Sequence, residues 1–169
     1  MTGESHFIEF SRPFVEATKN VFETMVFTSL KTEKPIIKTD SLSRGEVSAI
    51  LGLNGEVDKN GVKQHYKATL VISFPYETYF KIASAMLGEP YTSYVPDIHD
   101  LGGELVNMIM GNAKRDLKAM GYSSNMAIPS MVEGKNHSIK YPNGTHVILI
   151  TFTSSHGEFF MEICYSEGE

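Results

Sequence analysis

The sequence predicts an α+β fold: two long helices packed on an antiparallel sheet, in two halves that repeat one helix–strand–hairpin pattern. Three observations point there. Helical and strand-like periodicities alternate, with long helices near the start of the chain and past its middle. The strand-like runs come in pairs closed by turn residues, as antiparallel hairpins require. Each half also carries a short extended piece near a proline, Pro35 or Pro129, between its helix and its hairpin. No fixed-period identity accompanies this order, so the repeat is one of pattern. At 169 residues, the chain 1–169 fits a single domain with a substantial core.

The elements follow in order. A first helix is expected over 12–28, with Ser11 as N-cap, Pro13 near the first turn, and Phe14, Ala17, Val21, Met25 and Thr28 at helical intervals. Residues 34–39 form a short edge strand that starts near Pro35. Strands follow at 46–53 and 66–74, the second alternating Ala68, Leu70, Ile72 and Phe74 on one face. Residues 54–61 between them read as a hairpin loop. A second helix covers 76–87, closed by Gly88 and Pro90. A long helix over 97–120 ends at Gly121, and strands follow around 127–132, 146–153 and 158–165. Asn143-Gly144 and His156-Gly157 supply the last turns.

Composition excludes several functions. A net charge of −5 with no basic cluster denser than Lys114, Arg115 and Lys118 disfavours nucleic acid, whose phosphates demand concentrated Lys and Arg. A mildly acidic chain suits a basic patch on a protein partner. Cys164 stands alone, so no intramolecular disulfide forms, and its strand-like run predicts a buried, inert thiol. Met1 to Phe10 lack the basic and apolar regions of a leader peptide. No apolar run approaches the ~20 residues that cross a bilayer, so no membrane role and a cytoplasmic location are expected. The six histidines form no H-x-H or H-E-x-x-H pattern, and no metal site is expected.

The chemistry concentrates on the long helix. Asp100, Glu104 and Asn107 follow the spacing D-x3-E-x2-N, with Pro129 after 21 intervening residues. At ~100° per residue, Glu104 is rotated about 40° from Asp100 and Asn107 about −20°, so the three share an arc of about 60°. Gly111 lies on the same stripe and Gly103 at its margin, where missing side chains leave room for a close approach. Ile98, Leu101, Leu105, Met108, Ile109 and Met120 are expected to face the core. From spacing alone, Glu and Asn on such a face read first as solvated surface.

This motif and its setting resemble the chemotaxis phosphatase family of CheC, CheX and FliY, and CheX most. The family's pattern is an acidic or Ser residue, then x3-E-x2-N, and a proline some 21 or 22 residues later. The resemblance implies a CheC-like fold and hydrolysis of the phosphoaspartate of a phosphorylated CheY-like receiver domain. It implies Glu104 and Asn107 as catalytic residues, Glu104 pairing with the receiver's lysine and Asn107 orienting water. Asp100, Gly103 and Gly111 become partner-binding residues. It implies no cofactor of the chain's own, Mg²⁺ being expected in the partner receiver, and a homodimer. Pro129 is expected to shape the strand entry. Members with a second motif carry it on the first long helix, where this chain has Glu16, Lys19 and Asn20. The one-residue slip moves the amide ~100° around the helix from the motif position, so one centre per chain is expected. The competing reading is a non-enzymatic receiver-binding or flagellar-switch module of the same fold.

Overall fold

The two halves of the chain interlock through one sheet. The computed structural model describes residues 3–142 and 145–168. Its elements are α1 (Gly3–Val21), a π-helical turn (Phe22–Val26), β1 (Lys31–Thr32), β2 (Ile36–Lys38), β3 (Val47–Lys59), β4 (Val62–Phe74) and α2 (Tyr76–Leu87). A 3₁₀ turn (Pro96–Ile98) leads into α3 (Leu101–Ala119), β5 (Asn125–Met126), β6 (Ser130–Glu133), β7 (Val147–Ser154) and β8 (Gly157–Glu167). All strand pairs are antiparallel, in the order β1-β7-β8-β4-β3-β5, with β2 also on β7 and β6 also on β3. The hairpins β3–β4 and β7–β8 lie side by side through β4 and β8. Each half's short strands then cross to the other half's hairpin. The result is a pseudo-twofold exchange about the β4–β8 seam, where Val71 faces Glu162.

The registers show a matched irregularity at both edges. In the first half Lys31 pairs with Thr153 and Glu33 donates to the Thr151 carbonyl, but Ile36 pairs with Leu149. Lys34 and Pro35 together therefore oppose Ile150 alone. In the second half Met126 pairs with Leu53 and Ala127 donates to the Gly52 carbonyl, but Ser130 pairs with Ile50. Ile128 and Pro129 together oppose Leu51. Each edge thus carries a β-bulge whose second residue is proline, a position where the missing N–H breaks no ladder bond.

Helices α1 and α3 pack on one face of the sheet. Phe10 of α1 sits among Tyr66, Tyr122 and Tyr165, with ring centroids 5.9, 5.2 and 4.5 Å away. Ala68, Leu70, Ile72 and Phe74 are all buried beneath these helices, as their alternation predicts. Irregular segments cover the other face. Ser43 bonds Ser73 there, His137 bonds Ser48, and Tyr141 donates to Glu162. Both faces are dry, which is why Val71 and Leu149 are buried opposite the helices.

Several boundaries differ from the sequence expectation. The first helix begins at least nine residues before 12, and Pro13 lies inside it. Ser11 is no cap; its buried hydroxyl donates back to the Ile8 carbonyl at 2.7 Å. The expected loop at 54–61 is mostly strand, because β3 and β4 pair as far as Lys59 and Val62. Only Asn60-Gly61 turn, with φ of 55° and 86°, as a type I′ hairpin turn requires. The last turn is centred on Ser155 and His156, one residue early. Asn143-Gly144 lies outside the described residues, as do Met1, Thr2 and Glu169.

Candidate functional site

The site begins where α3 is anchored. Tyr79 of α2 is buried, and its hydroxyl donates to the Ile98 carbonyl at 2.6 Å while accepting from the Gly102 N–H at 3.0 Å. One phenol thus satisfies a donor and an acceptor that the helix start leaves open. Its burial raises the Tyr79 pKa far above the ordinary tyrosine range, so the hydroxyl stays protonated. Asp100 occupies the N-cap position, but its side chain caps nothing and is exposed. The α-helix starts at Leu101, four residues later than expected, because Pro96–Ile98 form the separate 3₁₀ turn.

From there the helix presents its stripe. Glu104 is exposed, and its carboxylate makes no hydrogen bond or ion pair with the described residues. Asn107 is half-buried; its Oδ1 is shielded from solvent and accepts no hydrogen bond. A buried oxygen left unpaired costs about 1–3 kcal/mol and calls for an explanation. A half-turn about its Cβ–Cγ bond exchanges amide oxygen for nitrogen, so this side chain can accept or donate toward an incoming group. Gly111 is exposed, and a Cβ there would meet nothing within 4 Å. Asp100, Glu104 and Gly111 are exposed along the stripe, and Asn107 lies half-buried between them.

Gly103 departs from this expectation. It is buried, and a Cβ there would lie 3.5 Å from the Pro129 Cβ and 3.8 Å from the Met131 Sδ. The chain's own bulge closes over this side of Gly103, which therefore offers a partner no opening. Gly102 beside it is tighter still, since a Cβ would stand 2.9 Å from Met131 Cε and 3.4 Å from Ala49. Gly102 lets α3 settle on β3 and β6, and Pro129 lies at the edge beside the motif. The buried face of α3 is also wider than spacing predicts. Val106, Met110, Ala113 and Leu117 join Leu101, Leu105 and Ile109 in the core, Met108 is half-buried, and Met120 is exposed.

Two neighbours complete the mouth. Tyr94 and His99 Nδ1 share a hydrogen bond just before Asp100. Tyr76 donates to Glu133 at the end of β6, and that bond pushes the Tyr76 pKa up to about 12. The Tyr76 contact was not legible beforehand, because it joins elements 57 residues apart, and the Tyr94 contact depends on how the loop before the helix folds. Cys164 is buried, and burial raises its thiol pKa, so it has no access to this face. Among the described residues no group of three or more His, Cys, Asp or Glu is placed to hold a metal ion.

The family model described as chemotaxis phosphatase CheX matches residues 59–153, which include Glu104, Asn107 and Pro129. The chain belongs to the CheX family. A CheC-like superfamily protein from Shewanella sp. PV-4 superimposes with a TM-score of 0.81 at 36% identity, over 94% of this chain and 98% of that one. CheX from Vibrio vulnificus gives 0.80 at 35% identity, over 94% and 99%. A chain of the CheX–CheY–BeF3–Mg²⁺ complex from Borrelia burgdorferi shares the fold, with a TM-score of 0.72 at 24% identity over 94% and 97%. No curated protein sequence matches the chain. No described helix of this CheX family member is long and apolar enough to cross a membrane.

Within the CheX fold, the bulge prolines set the alignment of the two halves. Counting back from Pro35 over the span that separates Pro129 from Asn107 lands on Pro13, or on Arg12 once the extra residue of the π-helical turn is allowed. The first-half counterpart is therefore not Glu16 with Lys19 or Asn20, as spacing within the helix suggested. Neither Arg12 nor Pro13 carries a carboxamide, and Asn20 is occupied, its Nδ2 donating to Asn112 Oδ1 at 3.0 Å.

Proposed function

We propose that this chain hydrolyses the phosphoaspartate of a CheY-type receiver domain, with one active centre, on α3. Asn107 carries the reading: a half-buried amide with an unpaired oxygen, one turn from an exposed, uncommitted carboxylate. In a receiver, Mg²⁺ and a lysine already neutralise the phosphoryl oxygens, and the missing part is a water held in line with the acyl phosphate. Asn107 orients that water. A carboxamide does this without repelling the anionic phosphoryl group as a carboxylate does. Water oxygen bonds to phosphorus, the phosphorus–oxygen bond to aspartate breaks, and inorganic phosphate leaves with the carboxylate restored. Glu104, about one turn away, pairs with the receiver's lysine and fixes the reach of the amide, and Asp100 adds negative charge at the mouth. The chain needs no metal of its own, the Mg²⁺ being the receiver's, and the work is cytoplasmic.

Family membership and the Borrelia burgdorferi complex with CheY support the choice of partner. The decay of a phosphorylated CheY-type receiver tests the reaction. Asn107→Ala is expected to slow accelerated decay by ~100-fold or more, and decay equal to wild type would refute the mechanism. Wild-type protein that leaves the decay unchanged or slower is a binder and not a phosphatase.

We also assign a homodimer joined at a sheet edge. β2 is a three-residue edge strand carrying exposed Ile36 and Ile37, 56% and 40% accessible, which suits edge pairing with a second copy. Sedimentation showing only monomer at micromolar concentration rules it out.

A further inference from the structure

We infer that Ile128 is a docking contact for the receiver, an apolar knob that sets affinity for the partner and takes no part in the chemistry. The inference rests on the reading of α3 as the receiver-facing helix. Three observations carry it.

The first is how Ile128 is held. It is the first residue of the bulge on β3, and the bulge turns it out of the ladder. Proline at the next position restricts its backbone to extended conformations. It is the most exposed large apolar residue described, at 89%, with half-exposed Met126 two positions earlier. A lone apolar residue on a surface is ordinary, but one fixed in place by a bulge and a following proline is presented.

The second is where it stands. A Cβ on Gly103 would lie 3.5 Å from the Pro129 Cβ, and Gly103 lies one helical turn before Asn107. One peptide unit, one van der Waals contact and one turn put Ile128 no more than roughly 16 Å from Asn107. A protein–protein interface of standard size covers about 800 Å² on each partner, a disc reaching about 16 Å from its centre. A receiver seated on Asn107 is therefore wide enough to reach Ile128, and an apolar residue at that margin favours an apolar patch beside the phosphorylation pocket.

The third is an internal control. The opposite edge carries the same bulge on β7, with Pro35 as its second residue and exposed Lys34 where Ile128 stands. The half without a carboxamide at the motif position keeps a solvated cation at this place. The half with Asn107 keeps isoleucine.

The test uses the full chain and a CheY-type receiver loaded with beryllium fluoride and Mg²⁺, read by titration, alongside turnover of the phosphorylated receiver. Ile128→Ser is expected to weaken binding roughly tenfold and raise KM by the same factor, with kcat unchanged, because uniform binding is lost. Ile128→Leu should restore both, and Lys34→Ser should change neither. The inference is overturned if Ile128→Ser binds and turns over like wild type, or if it alters only the oligomeric state seen by sedimentation. Wild-type binding without hydrolysis sinks the phosphatase reading alone, since the affinity of Ile128→Ser still decides the docking contact.

Discussion

Helices α1 and α3 occupy equivalent places on one sheet, yet they treat their polar groups in opposite ways. On α1, Glu16 lies 3.9 Å from Lys19, and Asn20 is bonded across to Asn112. On α3, Glu104 and the Asn107 oxygen have no partner among the described residues. Glu16 and Asn20 of the first helix are paired within the chain, and Glu104 and Asn107 of the second are left for something else. A fold with pseudo-twofold symmetry can hold two sites; this one holds a satisfied half and an unsatisfied half. The difference locates function better than the motif does, because a structural helix gains nothing from an orphaned oxygen.

The comparison breaks most directly at the two asparagines. Asn107→Ala should cost ~100-fold or more in receiver dephosphorylation while leaving thermal stability unchanged or raised, since it removes the unsatisfied oxygen. Asn20→Ala should leave turnover intact and cost about 0.5–1.5 kcal/mol of stability for its lost hydrogen bond. Melting temperatures and phosphoaspartate decay measured on both variants decide it. An Asn20→Ala variant that loses turnover would show that the halves are not divided in this way.

The face of the sheet away from the helices carries a second asymmetry. Lys38 Nζ lies 2.9 Å from Glu162 Oε2, both side chains are fully buried, and Tyr141 donates to the other carboxylate oxygen at 3.0 Å. Pseudo-twofold equivalence places Val132 where Lys38 stands and Val71 where Glu162 stands. One half has an ion pair where the other has two valines. Lys38→Met should cost about 3–5 kcal/mol in urea unfolding, because it strands a buried carboxylate. Replacing Lys38 and Glu162 with Val together, with Tyr141→Phe, copies the apolar half and should regain most of that loss. A triple variant no more stable than Lys38→Met would contradict the equivalence.

How much of this was legible beforehand follows from what each feature depends on. The hairpins and long helices are written in local periodicity, and Asp100, Glu104 and Asn107 share a stripe by helix geometry alone. Features set by distant neighbours were not legible. Asn-Gly pairs stand at both ends of 54–61, and spacing does not tell the turn from the strand. Gly55 is glycine because a Cβ there would lie 2.0 Å from the Ser123 carbonyl, while Gly61 makes the turn. Gly103 read as an opening for a partner because nothing local announces that Pro129 closes over it. Ser11 and Pro13 look like a helix start, yet Phe10, buried among tyrosines from β4 and β8, draws the helix back past them. The bulges appear only once register is known.

Tyr79 tests whether the anchoring of α3 matters to the stripe. Tyr79→Phe leaves the Gly102 N–H and the Ile98 carbonyl unpaired in a buried place, which should cost about 1–3 kcal/mol. The helix start then loosens next to Asp100 and Glu104, so turnover should fall by a smaller factor than with Asn107→Ala. A stable variant with full turnover would mean that the stripe is positioned by the Gly102 and Gly103 packing alone.

The smallest effect concerns Tyr76, which ties α2 to the end of β6 through Glu133. The neutral phenol is the form that donates to the carboxylate, so the folded protein keeps this proton up to about 12. The unfolded chain releases it near 10, the ordinary tyrosine value. Between those values the folded state binds more protons than the unfolded state, so stability falls as pH rises. The contribution is complete below pH 10 and gone above 12. Melting temperatures recorded from pH 9 to 12 should decline less steeply for Tyr76→Phe than for wild type. The difference should be small, because the pair is exposed to solvent and Tyr79, Tyr141 and Tyr165 titrate late for reasons of their own burial. Parallel alkaline curves for the two proteins would show that this tie adds nothing to the clamp on the second half.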